Sequence, residues 1–339
     1  MNNEKIDFVV TWLDSSDPIW IKEYNKYKGI TSEGDQSSAR FRNWDLFKYW
    51  FRAVEAYAPW VNKVFLITNG TFPKWIDASN PKLVLVNHSD YIPERLLPTF
   101  NSCTIELFIN RITRLSEHFV YFNDDCYINA PINPDYYFRK GLPCDNNRET
   151  FFNVPQYNPI DHFAIYMSML TDIGVLNSSF NRKKTWRQSP RRWFGPHLGK
   201  GLLTSLLMYN KERFVGFNWK HNEQPYLKSI FDEAWNKEED MLERSCTRFR
   251  EEVILNPYFF RYWQFATNRF FPVNLNRMIK YRTIKEHIPL IVKAISEQKY
   301  SSLCINDTPF CTDEDFTQFK KEIHLAFEKK LPHKSSYEL

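Results

Sequence analysis

Through the first part of the chain, compact apolar runs alternate with stretches of helical spacing, and each run gives way to polar residues at its carboxyl end. Residues 6–12 read as a strand that opens into Leu13-Asp14-Ser15-Ser16-Asp17-Pro18. Residues 44–57 set Leu46, Phe47, Trp50, Phe51 and Val54 at helical spacing, and Ala58-Pro59 ends that helix. Residues 64–68 form a second strand leading to Asn69-Gly70, and residues 83–86 a third leading to Asn87, His88, Ser89 and Asp90. Residues 105–115 predict a helix. Residues 118–122 predict a fourth strand, aromatic and β-branched as a sheet-core strand is, which exits into Asn123-Asp124-Asp125. This βαβ-type series makes the fold class α/β, with a mostly parallel, twisted sheet.

From Phe151 onward the pattern changes to longer helical segments and irregular loops, helical insertions on a Rossmann-like or GT-A-like sheet. Residues 181–194 interleave Arg182, Lys183, Lys184, Arg187, Arg191 and Arg192 with Trp186 and Trp193. They read as a solvated basic loop, as a flap over an anionic donor or a lipid-linked acceptor, or as a nucleic-acid patch. Beyond Pro272 the chain is amphipathic and charged, which predicts a helical C-terminal appendage on the catalytic unit.

Composition narrows this picture. At 339 residues the chain can bury a full core, and 17% aromatic residues exclude disorder while suiting both packing and sugar stacking. A net charge of +5 suits an anionic substrate or an acidic membrane surface and is too small to indicate nucleic acid. The six cysteines include no C-x-x-C pair and read as reduced. The apolar stretch 6–13 contains Asp7 and is too short for a signal peptide or a membrane span. The reading is a cytoplasmic protein with at most peripheral contact at the inner face of the membrane.

In a parallel sheet, Asp14, Asn69, His88 and Asp125 converge on one edge, where open α/β sheets hold ligands. Asp124 and Asp125 offer hard oxygen ligands for Mg2+ or Mn2+, which can bridge a diphosphate. No G-x-G-x-x-G or G-x-x-x-x-G-K-[ST] occurs, so side chains and metal must hold phosphate. Adjacent side chains of an extended chain point oppositely, so one of the two aspartates ligates directly, and Asp125 is favoured.

Four ordered blocks resemble the Stealth family of sugar-phosphate transferases, which includes bacterial capsule phosphotransferases and the enzyme that marks lysosomal glycoproteins with GlcNAc-1-phosphate. The first is Ile6-Asp7-Phe8-Val9-Val10-Thr11-Trp12-Leu13-Asp14-Ser15-Ser16-Asp17-Pro18. The second, over 40–138, holds Tyr57-Ala58-Pro59-Trp60-Val61, Ile67-Thr68-Asn69-Gly70, Leu97-Pro98-Thr99-Phe100-Asn101-Ser102, Ile105-Glu106 and Tyr121-Phe122-Asn123-Asp124-Asp125. The third, over 221–235, includes Gln224-Pro225-Tyr226-Leu227-Lys228-Ser229. The fourth runs from Arg248-Phe249-Arg250 to Tyr262-Trp263-Gln264.

The resemblance implies transfer of sugar-1-phosphate from a nucleotide diphosphate sugar, expected to be a UDP-sugar, to a hydroxyl of a glycan or lipid-linked oligosaccharide acceptor. A phosphodiester forms in capsular or other surface polysaccharide, and a nucleoside monophosphate leaves. It implies His221 as the base, Arg250 on the transferred phosphate, and Glu106 and Asp125 as required acids. Asp14, Asp17, Asn69, Gly70, Arg40, Arg42 and Asn123 are the implied donor contacts. The chain departs from the family pattern at Glu223, where proline is common, at Ile254, where aspartate is usual, and at Asp45, where glutamate is common. Residues 1–280 are the expected catalytic domain, with a nucleotide-sugar half to about 150 and an acceptor half after it, and 281–339 the appendage. A metal-dependent glycosyltransferase that releases the nucleoside diphosphate is the alternative, and a non-enzymatic carbohydrate-binding module a third reading.

Overall fold

The computed structural model describes residues 4–28, 44–152, 163–218, 221–250, 254–275, 279–306 and 312–339. Four strands run parallel in the central sheet: β1 (Ile6–Thr11), β2 (Val64–Thr68), β3 (Leu83–Asn87) and β4 (His118–Phe122). After β5 (Cys126–Ile128), β6 (Phe138–Arg139) and β7 (Leu142–Asp145), strand β8 (Gln224–Leu227) joins antiparallel to β4, giving the order β3-β2-β1-β4-β8. Every residue of β2 is buried, as are Phe8, Val9 and Val10 of β1, because both faces of a parallel sheet are covered.

Helices α1 (Pro18–Lys28) and α2 (Phe47–Tyr57) lie between β1 and β2, and α3 (Ser102–Leu107) lies between β3 and β4. The helix expected over 105–115 is therefore shorter and starts earlier. Asn101 caps it by accepting from the Cys103 N–H, a start signal that apolar spacing does not reveal. Past Phe108 the chain tightens into a single 3-10 turn, Ile109–Arg111.

The second half supplies α4 (Phe163–Ser179), α5 (Arg182–Gln188), α6 (Pro190–Trp193), α7 (Gly201–Leu207), α8 (Lys228–Ser245) and α9 (Tyr258–Ala266). Asp145, at the end of β7, holds Arg261 of α9 in a buried two-point ion pair of 2.7 and 2.8 Å, and the same carboxylate accepts from Gln224 at 2.8 Å. That network fixes where β8 begins. The basic stretch 181–194 is two helices rather than a loop. Trp186 and Trp193 are buried core residues, which removes the aromatic surface that a carbohydrate- or nucleic-acid-binding module would use there.

The C-terminal region contains strands as well as helices: β9 (Phe271–Pro272), β10 (Ile279–Thr283), α10 (Ile284–Glu297), β11 (Ser302–Asn306) and α11 (Asp313–Lys330). Strand β11 pairs antiparallel with β5 and parallel with β10, while β9 joins β6 and β7 in a third small sheet. Ile291, Ile295, Leu303, Ile323 and Phe327 belong to the same core as Trp50 and Phe51. Arg52 on α2 reaches across to Glu338 at 2.9 and 3.0 Å and to the Leu331 carbonyl at 2.8 Å. No helix among the described residues is long and apolar enough to cross a membrane.

Candidate active site

The register of β4 and β8 builds the site. Tyr121 pairs with Gln224, so the chain leaving β4 and the chain entering β8 approach at the carboxyl edge of the parallel strands. Asp125 follows Tyr121 and His221 precedes Gln224, and the two meet with His221 Nε2 3.1 Å from Asp125 Oδ2. A carboxylate only accepts, so Nε2 carries the proton and the neutral imidazole has its lone pair on Nδ1. Asp124 and Asp125 lie in a turn between β4 and β5, not in an extended strand, so the alternation argument for choosing between them does not apply.

The environment of Asp125 is unusually rich in donors. The thiols of Cys126 and Cys304 each lie 3.3 Å from it, on Oδ1 and Oδ2 respectively. Cys304 arrives from β11, where it stands opposite Cys126, and the Ile305 N–H donates to the Asp125 carbonyl at 2.9 Å. Burial alone would raise Asp125, yet His221 and the two thiols hold it below the usual carboxylate range. Burial would lower His221, but Asp125, Glu106 and Asp124 together raise it above the ordinary imidazole value. Asp124 opens to solvent at the rim. The surrounding protein and the adjacent Asp125 charge push it up to about 7, a push that water at the rim offsets in part.

Glu106 and Arg250 lie far apart in sequence and are brought near each other through α3. Thr104 Oγ1 donates to the Thr247 carbonyl at 2.8 Å, Asn101 Nδ2 donates to the Phe249 carbonyl at 3.3 Å, and Phe100 stacks on Phe249 at 4.9 Å. This seam delivers Arg250 Nη2 to Ser102 Oγ at 2.5 Å, one helical turn before Glu106 on the same face. The Arg250 Nε–H is buried without a hydrogen-bond partner among the described residues. Desolvation pushes Glu106 up to about 7, against the pull of Arg250, His221 and the Tyr121 hydroxyl. Arg248 spends its guanidinium on the carbonyls of Pro98 (3.0 Å) and Leu97 (3.1 Å), and Arg111 lies over the Phe108 ring at 4.5 Å rather than pairing with Glu106.

The other predicted residues sit around the same edge with different duties. Asn123 accepts from Tyr121 OH at 3.2 Å, two residues back on the same strand face. Among the described residues, Asn69 keeps a buried Oδ1 without a hydrogen-bond partner, beside Gly70, whose φ of 111° suits glycine. Asp14 folds onto Ser16 in an Asx turn, accepting from its N–H at 2.9 Å and its hydroxyl at 2.6 Å. Asp17 caps α1 through the Ile19 N–H at 2.9 Å and takes the Thr71 hydroxyl at 2.5 Å, which holds it below its ordinary range. His88 follows β3 in a 3-10 turn, and burial lowers it to about 4, so it is neutral at pH 7. Arg40 and Arg42 lie outside the described residues. Glu223, buried and pushed up to about 7, accepts from Ser302 of β11 and from Tyr137 OH at 3.4 Å. It anchors the His221 loop where the family commonly has proline.

Tyr121, Ser102, Cys126 and Cys304 were not singled out from sequence. The alternation of β4 toward Asn123 points to Tyr121; no local signal links Cys304 to Asp125.

Comparison with known proteins bears on the reaction. Residues 40–144 match Stealth protein CR2, conserved region 2. A capsular polysaccharide phosphotransferase, WcwK of Streptococcus pneumoniae, is 39% identical over 98% of both chains. The chain belongs to the Stealth family. A receptor polysaccharide phosphotransferase, WefC of Streptococcus oralis, is 38% identical over 99% of both chains. An exopolysaccharide phosphotransferase, cps2G of Lactiplantibacillus plantarum, is 36% identical over 98% of this chain and 96% of its own. This Stealth chain is thus a phosphotransferase, and Asp125, His221, Glu106 and Arg250 gather at one edge of its sheet.

The donor set of that edge bears on a divalent cation. Asp125, Cys126, His221 and Cys304 place possible ligand atoms within 4.8 Å of one another. Burial and the neighbouring carboxylate keep the Cys304 thiol protonated, pushed up to about 12, and its partner Cys126 is raised as well. Both thiols lie as donors to Asp125, and the carboxylate oxygens of Asp125 and the adjacent Asp124 are the hard ligands here that could hold a divalent cation.

Proposed function

We propose that this enzyme transfers sugar-1-phosphate from a nucleotide diphosphate sugar to a hydroxyl of a glycan or lipid-linked acceptor, on the cytoplasmic side of the membrane, and releases the nucleoside monophosphate. The observation that carries the reading is that the hydrogen-bonded His221–Asp125 pair lies within electrostatic reach of Glu106, which also feels Arg250, at one sheet edge. Phosphoryl transfer needs alignment and charge neutralisation more than covalent help. His221 takes the acceptor proton, oriented by Asp125. Arg250 offers its buried Nε–H and guanidinium to the sugar-bearing phosphate. Glu106, with Ser102, sets the position of that arginine. Asp124, with the remaining lone pair of Asp125, would hold Mg2+ or Mn2+, and the bound cation would neutralise the diphosphate. Asn69, Asn123 and the loop shaped by Asp14 and Asp17 face the donor.

The nucleotide released tests this against the glycosyltransferase alternative. With a panel of UDP-, GDP- and CMP-sugars, an acceptor and Mg2+, phosphorus NMR should record monophosphate, and chelation should stop its release. Nucleoside diphosphate as the product would overturn the reading.

The ionisation of His221 gives a second check. A base must be neutral, and its raised pKa means activity falls as pH drops through a midpoint above 6.5, the ordinary imidazole value. Asp125→Asn removes a charge that raises His221 while desolvation persists. The acid limb of the pH–rate profile should therefore move to lower pH, with a reduced maximal rate. An unshifted limb would show that Asp125 does not act through His221.

A further inference from the structure

One surface unit outside the site departs from the composition of the whole. Residues 181–213 carry nine Lys and Arg against one acidic residue, Glu212, a net of +8 in a chain whose total is +5. Arg182 is buried on Glu149, but Lys184, Arg187, Arg191, Lys200, Lys211 and Arg213 are exposed. Within this unit α7 turns its leucines outward. Leu203, Leu206 and Leu207, at i, i+3 and i+4, are 66%, 50% and 70% exposed, while polar Ser205 is buried, which inverts an ordinary surface helix.

The apolar and basic groups form one block. Arg182 donates to the Ser205 carbonyl at 3.4 Å and to that of Met208, which ties α7 to α5. Tyr209, also exposed, packs on Trp186 at 4.7 Å and on Phe194 at 5.7 Å, and the Arg187 guanidinium lies 5.7 Å from the Trp186 ring. Glu149, which anchors Arg182, also bridges to Phe217, from which the chain runs into His221.

We propose that this face docks peripherally on an anionic lipid bilayer, with the α7 leucines and Tyr209 in the headgroup boundary and the surrounding cations on lipid phosphates. Nucleic acid would satisfy the charge and leave the leucines in water. A second copy pairing face to face would bring two strongly basic surfaces together, which like-charge repulsion opposes.

Flotation of the intact protein with phosphatidylcholine vesicles, with or without phosphatidylglycerol, tests the proposal. Partitioning onto the anionic vesicles should exceed that onto neutral ones by roughly tenfold or more and weaken with salt. Leu206→Glu with Leu207→Glu, and separately Arg187→Glu with Arg191→Glu, should each lose about tenfold in partitioning while keeping Tm and turnover of soluble substrates. Equal partitioning onto both vesicle types, or wild-type partitioning by both variants, would overturn it, as would a dimer broken by both variants without any vesicle binding. Vesicle binding needs no turnover, so its failure is distinct from failure of the proposed reaction.

Discussion

His221→Ala is expected to lower transfer by about a thousandfold while donor affinity stays near that of the wild type. General bases contribute roughly 10²–10⁴. The middle of that range is expected because Asp125 fixes the imidazole at 3.1 Å while the pair is only partly shielded from water. In the proposed reaction the imidazole takes the acceptor proton, so the loss should fall on kcat. Donor binding by calorimetry, with Mg2+, separates the roles. An equal loss of donor affinity would place His221 on the nucleotide sugar and exclude it as the acceptor's base. Changing Asp125 should also lower kcat, because it would remove both the orientation of His221 and one of the oxygens proposed to hold the cation.

Arg250→Ala should be nearly as damaging, by about 10³ in kcat/KM, because arginines that meet a transferring phosphoryl group contribute on the order of 10³ or more. The seam between residues 99–104 and 247–250 is made largely by Asn101, Thr104, Thr247 and the Phe100–Phe249 stack, so truncating Arg250 leaves its scaffold standing. Arg250→Lys is expected to recover only a small part of the loss, since an ammonium cannot copy a guanidinium that spans Ser102 and a phosphate. In the alanine variant Glu106, relieved of its cationic neighbour, should rise further in pKa. Full activity in the lysine variant would show that charge alone is needed there. An unchanged rate in the alanine variant would remove Arg250 from the reaction.

The parts of the fold legible from sequence were those ruled by local pattern. Residues 64–68 and 118–122 coincide with β2 and β4 because a buried parallel strand must be apolar throughout. The α3 boundaries were misread because the Asn101 side chain, not hydrophobic spacing, starts that helix. The basic segment 181–194 hid its character because its tryptophans point inward, and charge density says nothing about which way a ring faces. In the candidate site, His221, Arg250, Glu106 and Asp125 are assigned through motif blocks in order along the chain, and the fold brings them to one edge of the sheet. Cys304 and Ser302 were beyond reach: their partners are set by the pairing of β11 with β5, and strand pairing over such separations leaves no local trace.

That pairing has a consequence for synthesis. A chain still on the ribosome that has delivered the conserved region, the His221 loop and Arg250 lacks the strand that backs Asp125 and ties down Glu223. The contacts that back Asp125 and hold Glu223 can therefore form only after β11 has emerged, so this edge of the sheet is among the last parts of the fold to be completed.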